Sequence, residues 1–327
     1  MMIAGRKGVR YNGVKEGKRG NDMNPPMLSD RAFRAHKARG VLYTVISALL
    51  FGVTPVLASQ TFDMGSNANT LTFYRNLLVV PVLLIVMLVK KIPFGLTKKE
   101  LGLMLLVGVA FRASTTFMLY QSYAYISVGT ATTLHFMYPM VTAVLCFVVF
   151  REKLKREKIA ALVIALVGVM LFADKAGADA VPGLVLALAS AVTYACYLTG
   201  MDKTDLRNMN GTKVACYMGL FNALAVLIVD QIPHQIVFVL PPRAMLYTFI
   251  IAMCTSFVAF WLLQRGIQVL GAPTAAIFCL FEPIGSVVSG ALFLGERMNL
   301  RSALGCVCVL GAVLVTVLSD RKEKSTI

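Results

Sequence analysis

Charge is scarce in this chain and acid scarcer still: Asp and Glu number 16 against 32 Lys and Arg, and charged residues make up only 15% of the total. Hydrophobic residues account for 57%, where a soluble domain carries roughly 45–50% apolar and about 25% charged residues. The 327 residues therefore do not read as two soluble domains. Histidine is rare too, and two of the three, His36 and His234, fall outside the apolar stretches. An intramembrane enzyme would need HExxH, paired aspartates or a Ser/His dyad on facing helices, and none can be assembled. That reading stays a remote alternative; no catalytic residue is expected. There is no phosphate-cradling GxxxxGK[ST], so the chain itself does not hydrolyse ATP. Seven cysteines contain no CxxC, and Cys306 and Cys308 point about 200° apart on a helix. They read as reduced packing residues, with no metal and no cofactor expected.

What fills the chain instead is a series of apolar runs with charges gathered in the gaps. A hydrocarbon core of about 30 Å demands some 17–25 apolar residues per helix. Ten such spans are expected, at 40–59, 70–89, 101–119, 128–150, 158–173, 182–201, 213–230, 244–263, 272–294 and 302–318. Their short connections make neighbours antiparallel. Residues 1–37, rich in Gly, Lys and Arg, show no hydrophobic period and read as a disordered basic tail without a signal-peptide pattern; 320–327 form a second tail. With the N-terminus inside, the inner segments hold 26 Lys and Arg and the outer loops 4, which predicts a plasma-membrane protein with both termini cytoplasmic. The net charge of +16 is thus explained by topology, not by nucleic acid, whose binders cluster cations on a water-soluble fold.

The two halves resemble each other. Gly40, Ser47, Ala48 and Phe51 match Gly183, Ser190, Ala191 and Tyr194 at an offset of 143; Thr130, Ala131 and Pro139 match Thr274, Ala275 and Pro283 at 144. Arg151-Glu152-Lys153-Leu154 aligns with Gly295-Glu296-Arg297-Met298 at the same spacing. Five spans per half is an odd number, so the second copy enters the membrane inverted. The fold expected is all-α and polytopic, with ten transmembrane helices in two inverted five-helix repeats, 38–174 and 180–319. Such symmetry gives two packings open to opposite sides, a mark of transporters.

The run Thr132-Thr133-Leu134-His135-Phe136-Met137-Tyr138-Pro139, with Glu152 thirteen residues on, resembles the fourth helix of EamA-type members of the drug/metabolite transporter superfamily. Phe281-Glu282-Pro283, Gly305 and Gly311 look like counterparts in that family's second repeat. Arg151 stands where Gly usually precedes the Glu. The resemblance covers residues 38 to 319. It implies a ten-helix fold with a central cavity formed mainly by spans 1, 3, 4, 6, 8 and 9, and cargo such as amino acids, other metabolites or drugs.

Charged side chains at bilayer depth are costly and mark pathways or pairs. Arg112 lies thirteen residues beyond Lys99, roughly 20 Å into the membrane. Glu282 sits mid-way along span 9 and is able either to carry a proton or to meet a cation such as Arg112, outcomes that imply different transport modes. Arg75 is near enough to an outer end to snorkel. The expected substrate site gathers Arg112, His135, Tyr138, Glu282, Tyr194, Trp261 and Gln264. Pro55, Pro139 and Pro283 are expected to kink their helices as hinges, the latter two by freeing the carbonyls of His135 and Cys279. Ser286 and Gly290, a small-xxx-small pair, should let another helix approach closely. The function expected is secondary transport of small metabolites such as amino acids by alternating access, with export the favoured direction. A lipid-linked sugar or nucleotide-sugar carrier of the same superfamily is the alternative. Partners are a small-molecule substrate and membrane lipid, with a homodimer left open.

Overall fold

The computed structural model describes residues 30–122, 125–126, 128–152, 156–171, 181–232, 234–293 and, in the last helix, 300–301, 303–305, 307–308, 310–312 and 315. The tail before residue 30, the C-terminal tail, Lys153, Leu154 and the Gly295-Glu296-Arg297-Met298 motif lie outside the described residues. Among those described, helices and turns account for the regular structure and no strand occurs.

The helices are α1 (Asp30–Asp63), α2 (Ala68–Leu77), α3 (Val79–Val89), α4 (Lys98–Met104), α5 (Ser114–Ser122), α6 (Val128–His135), α7 (Tyr138–Phe150) and α8 (Arg156–Met170) in the first half. The second half holds α9 (Val181–Lys203), α10 (Gly211–Val229), α11 (Pro242–Ile251), α12 (Phe260–Leu270), α13 (Ala272–Cys279) and α14 (Phe281–Phe293). Two π-helical segments, Leu105–Ala113 and Ala252–Ala259, join α4 to α5 and α11 to α12. Residues chosen for helix starts do that work. Thr97 and Glu100 form a reciprocal capping box on α4, Asn67 caps α2 through the Thr70 amide, and Asn210 accepts from the amides of Thr212 and Lys213 on α10.

Six continuous helices are long and apolar enough to cross a membrane: Ala35–Asp63, Ala68–Val89, Lys98–Ser122, Val181–Lys203, Gly211–Val229 and Pro242–Leu270. The sequence leads one to expect ten, and two of the differences have a plain cause. Pro139 lacks an N–H, and its ring would collide with the carbonyl four residues back. The chain accordingly divides into α6 and α7 across Phe136 and Met137, with Met137 N–H turned to the Leu134 carbonyl at 3.1 Å. Pro283 does the same one helix set later, where Leu280 separates α13 from α14 and its amide bonds Ile277 at 3.2 Å. The breaks go further than the expected kinks. At Pro55 the opposite holds: α1 runs through without interruption, and the Thr54 hydroxyl takes up the Leu50 carbonyl at 3.1 Å. Of the remainder, α8 has 15 residues, and the last helix is described only in part.

Local features recur at the spacing of the sequence repeat. Phe136 in the first break and Leu280 in the second are 144 positions apart, and the π-helical segments overlap at the same offset. The packing is reciprocal. The first helix, α1, lies against α11 to α14, whereas α9, which opens the second half, lies against α5, α6, α7 and the first π segment. Between them α10 packs on α2 and α3.

Small residues let α1 reach α14. A Cβ on Gly52 would strike the Glu282 carbonyl oxygen and come within 2.9 Å of Gly285 Cα, and Ser289 Oγ donates to the Gly52 carbonyl at 3.4 Å. The close face of α14 therefore uses Gly285 and Ser289, with Ser286 contributing backbone. Further along α1, Ser47 Oγ donates to the Ala259 carbonyl at 2.7 Å, anchoring it to the second π segment. Gly52→Leu has no flexible neighbour to push aside, because the obstacle is backbone. We expect it to lower the stability of the detergent-solubilised protein by about 1–3 kcal/mol or more, read as a fall in melting temperature. Gly102→Ala, in open space, should leave that temperature unchanged.

Candidate substrate site

The helix interruptions place polar side chains deep in the bundle. On α9, Ser190, Tyr194 and Tyr197 follow at helical spacing and share one face toward the first half. Opposite them, the α6–α7 break carries His135 and Tyr138. The His135 Nδ1 and Ser190 Oγ lie 3.0 Å apart, and the Ser190 hydroxyl also reaches the Ala187 carbonyl at 2.6 Å. The Tyr194 ring meets Tyr138 edge-on at 4.6 Å, stacks on Tyr197 at 5.5 Å and lies 5.3 Å from His135. The Tyr138 hydroxyl is buried beside the Cys279 thiol, a weak partner.

Arg112 projects from the first π segment into this aromatic wall. Its guanidinium sits 4.4 Å from the Phe260 ring centroid and 5.7 Å from that of Tyr197. Ring faces carry negative potential and hold a cation that has left water. No carboxylate among the described residues pairs with Arg112, and Glu282 in the first turn of α14 likewise forms no ion pair or hydrogen bond through its side chain among them. The two charges are not joined to each other; Tyr194 stands within electrostatic reach of both. Such an arrangement has one guanidinium and one carboxyl group, neither paired among the described residues. Its chemistry suits a ligand with charges of both signs and an apolar body.

Not every expected site residue joins this group. Trp261 follows Phe260 but points about 100° round the helix, where its ring lies tilted 6.3 Å from that of Tyr43 and beneath the Arg265 guanidinium at 5.2 Å. Gln264 is buried where it tethers the loop after α9, donating to Leu206 O at 3.3 Å and Met209 O at 3.5 Å. Phe260 and Ser190 were not among the expected site residues; Ser190 is legible only as the repeat mate of Ser47, and Phe260 as nothing but an apolar residue.

A second cluster, also unforeseen, closes the end of the bundle where the basic loops lie. Asp202 is 2% exposed and receives Lys203 Nζ at 2.9 Å and Arg207 Nη1 at 2.9 Å. Lys203 also pairs with Glu152 at the end of α7. Arg207 Nη2 donates to the Gln268 carbonyl at 2.8 Å, and Gln268 Nε2 donates back to the Arg207 carbonyl. One buried carboxylate thus ties α7, α9 and α12 together. The opposite end has its own buried acid: Asp230 accepts from the amides of Gln235 and Ile236, both at 3.0 Å, and from Asn69 at 3.3 Å, folding the loop after α10 onto α2. Near it a cavity of about 300 Å³ opens between α2, the first π segment with α5, and α10, lined by Asn69, Thr72, Thr116 and Phe117 among apolar neighbours.

With this geometry in view, comparison with known proteins is decisive. The model of the EamA-like transporter family matches twice, over residues 38–173 and 181–318. The chain belongs to the EamA-like transporter family. Members of this family are transporters, and the apolar helices make this one a multi-pass membrane protein. It is 24% identical to an uncharacterized transporter of Bacillus subtilis strain 168, YcbK, over 88% of this chain and 95% of that one. It is also 25% identical to a second uncharacterized transporter of that strain, YetK, over 56% of this chain and 58% of the relative. A solved crystal structure superposes with a TM-score of 0.75 at 14% identity, covering 87% of this chain and 98% of that one, which speaks for the fold alone.

Removing Asp202 takes the buried anion from Arg207, which is partly exposed, and from Lys203. Asp202→Ala should destabilise this EamA-like protein by about 1–3 kcal/mol in detergent unfolding, less than for a fully buried pair because water still reaches Arg207 and Lys203 keeps Glu152. Lys99→Ala, whose pairing with Asp205 at 2.6 Å is 74% and 59% exposed, should leave the unfolding curve where it was.

Proposed function

We propose that the protein is a secondary transporter of small zwitterionic metabolites such as amino acids, working by alternating access, with export the favoured direction. The observation that carries this reading is the pair of ionisable groups without partners among the described residues, the Arg112 guanidinium and the Glu282 carboxyl, both within reach of Tyr194. Holding such charges deep in a bundle without partners costs free energy, and a ligand carboxylate and ammonium would offset it. Tyr138, Tyr194, Tyr197 and His135 supply the wall against which the rest of the ligand packs.

In this reading ten helices form two inverted five-helix units, 38–174 and 180–319, in the plasma membrane with both termini cytoplasmic. The recurrence of breaks and π segments at the repeat spacing supports the duplication, and so does the reciprocal packing of α1 and α9. The charge asymmetry of 26 to 4 supports the orientation. The basic end is then cytoplasmic, and the Asp202 network acts as the inner closure, giving way when the site turns inward. The breaks before Pro139 and Pro283 are the hinges about which the halves rock, with α1 bending little at Pro55.

The test is flux in proteoliposomes. Wild-type protein should exchange radiolabelled amino acids, and N-acetylation or esterification of the same amino acid should abolish its uptake. Arg112→Gln and Glu282→Gln should each lower exchange at least tenfold, about 1.4 kcal/mol or more in site affinity, while melting as the wild type does. Glu282→Gln should also erase any pH dependence if that carboxylate carries the coupled proton. Full activity in both variants, or transport of nucleotide sugars but of no amino acid, would overturn the proposal.

A further inference from the structure

A second cavity, of about 420 Å³, lies between the start of α1 and the end of α12, at the basic end of the bundle. Its lining is His36, Arg39 and Tyr43 from α1 and Trp261, Arg265, Gln268 and Val269 from α12. Both sets follow helical spacing, so two cationic and aromatic stripes face each other. The helices pack closely beside it: a Cβ on Gly40 would lie 2.6 Å from Val269 Cγ1, and one on Gly266 would run into the Thr44 side chain. Glycine there brings the backbones together, and the larger side chains hold the space open.

The charge of this space is one-sided. Arg39 is exposed and Arg265 half-buried, and no described carboxylate lines the cavity or pairs with either. The hydrogen bond of Arg265 is to the neutral Gln268 Oε1 at 3.3 Å, with its guanidinium over the Trp261 ring. Tyr43 and Trp261 are the amphipathic aromatics that favour the membrane–water boundary. Just beyond them on α1, Leu42 is 56% exposed and Ile46 39%, an apolar flank suited to acyl chains.

We infer that this cavity is a binding site for the phosphate of an anionic membrane lipid, held between Arg39 and Arg265. Guanidinium forks match phosphate oxygens in pairs, and basic pockets between helices on the cytoplasmic side are where such headgroups settle. The volume far exceeds the roughly 30 Å³ of one water and leaves room for the glycerol as well. Trp261 thereby takes a lipid-facing role in place of a substrate-binding one. Gln268 lines the cavity and is bonded through both its backbone carbonyl and its side chain to Arg207, the partner of Asp202. A bound headgroup would therefore brace the network that closes this end.

The experiment is a melting series on the full-length protein in uncharged detergent, with phosphatidylglycerol, phosphatidylcholine or inorganic phosphate added. Phosphatidylglycerol should raise the melting temperature by several degrees, because a ligand of the folded state stabilises it by mass action. Phosphatidylcholine and inorganic phosphate should do much less. The double variant Arg39→Gln/Arg265→Gln should lose at least half of the rise, and Arg39→Glu, at an exposed position where folding is not at stake, should lose it too. Arg243→Gln, an arginine over Tyr247 at the other end of the same span, should keep it. An equal rise with phosphatidylcholine, or an undiminished rise in the Arg39 variants, would overturn the site. An equal rise with inorganic phosphate would reassign it to a free anion and overturn the lipid as its occupant.

Discussion

Backbone meets backbone where Gly52 faces the first turn of α14, and much else in the molecule follows from that contact. Lipid offers helices no hydrophobic reward for coming together, so association rests on close packing and hydrogen bonds. The glycines and serines along α1, with Gly285 and Ser289 opposite, permit it. They hold α1 within the second half, and α9 lies correspondingly within the first. Each half therefore completes the other, and the residues around Tyr194 come from four separate stretches of chain: the first π segment, the α6–α7 break, α9 and the start of α12. Glu282, in the turn that Gly52 touches, is positioned by the same contact.

Much of this was legible in order of residues. Apolar runs marked the six long helices, and Pro139 and Pro283 marked where the chain departs from a straight helix, though as expected kinks rather than the breaks observed. Arg112 and Glu282 stood out through the cost of charge in hydrocarbon. What escaped was whatever depends on which helix lies next to which. Asp202 did not stand out, since nothing in sequence tells a buried helix end from a wet one. Phe260 and Trp261 are adjacent in sequence, yet only the rotation of α12 decides that the first faces Arg112 and the second faces α1. Pro55 shows the reverse limit: α1 continues through it, with the Thr54 hydroxyl supplying an extra bond to the turn before.

The two buried acids divide the labour of the ends. Asp202 holds the nearby Lys203 and Arg207 directly, and reaches α7 and α12 only through their bonds to Glu152 and Gln268. Asp230 accepts backbone amides five and six residues on and also the Asn69 side chain of α2, so it fixes its own loop and ties that loop to a distant helix. Each end is thus held by one buried acid whose direct ties combine with a link to another helix.

The π-helical segments add something to the helices that bear Arg112 and lie next to Phe260. A π turn accommodates a residue more than an α turn of the same kind of bonding, so the helix there holds surplus length. If the surplus migrates by a few positions, each residue it passes swings through about 100° while the ladder of backbone bonds is remade behind it. Arg112, inside such a segment, sits on the part of the chain that turns most like a screw. A long apolar rod can in this way change the compass bearing of one charge without exposing its backbone to lipid or shifting either of its ends.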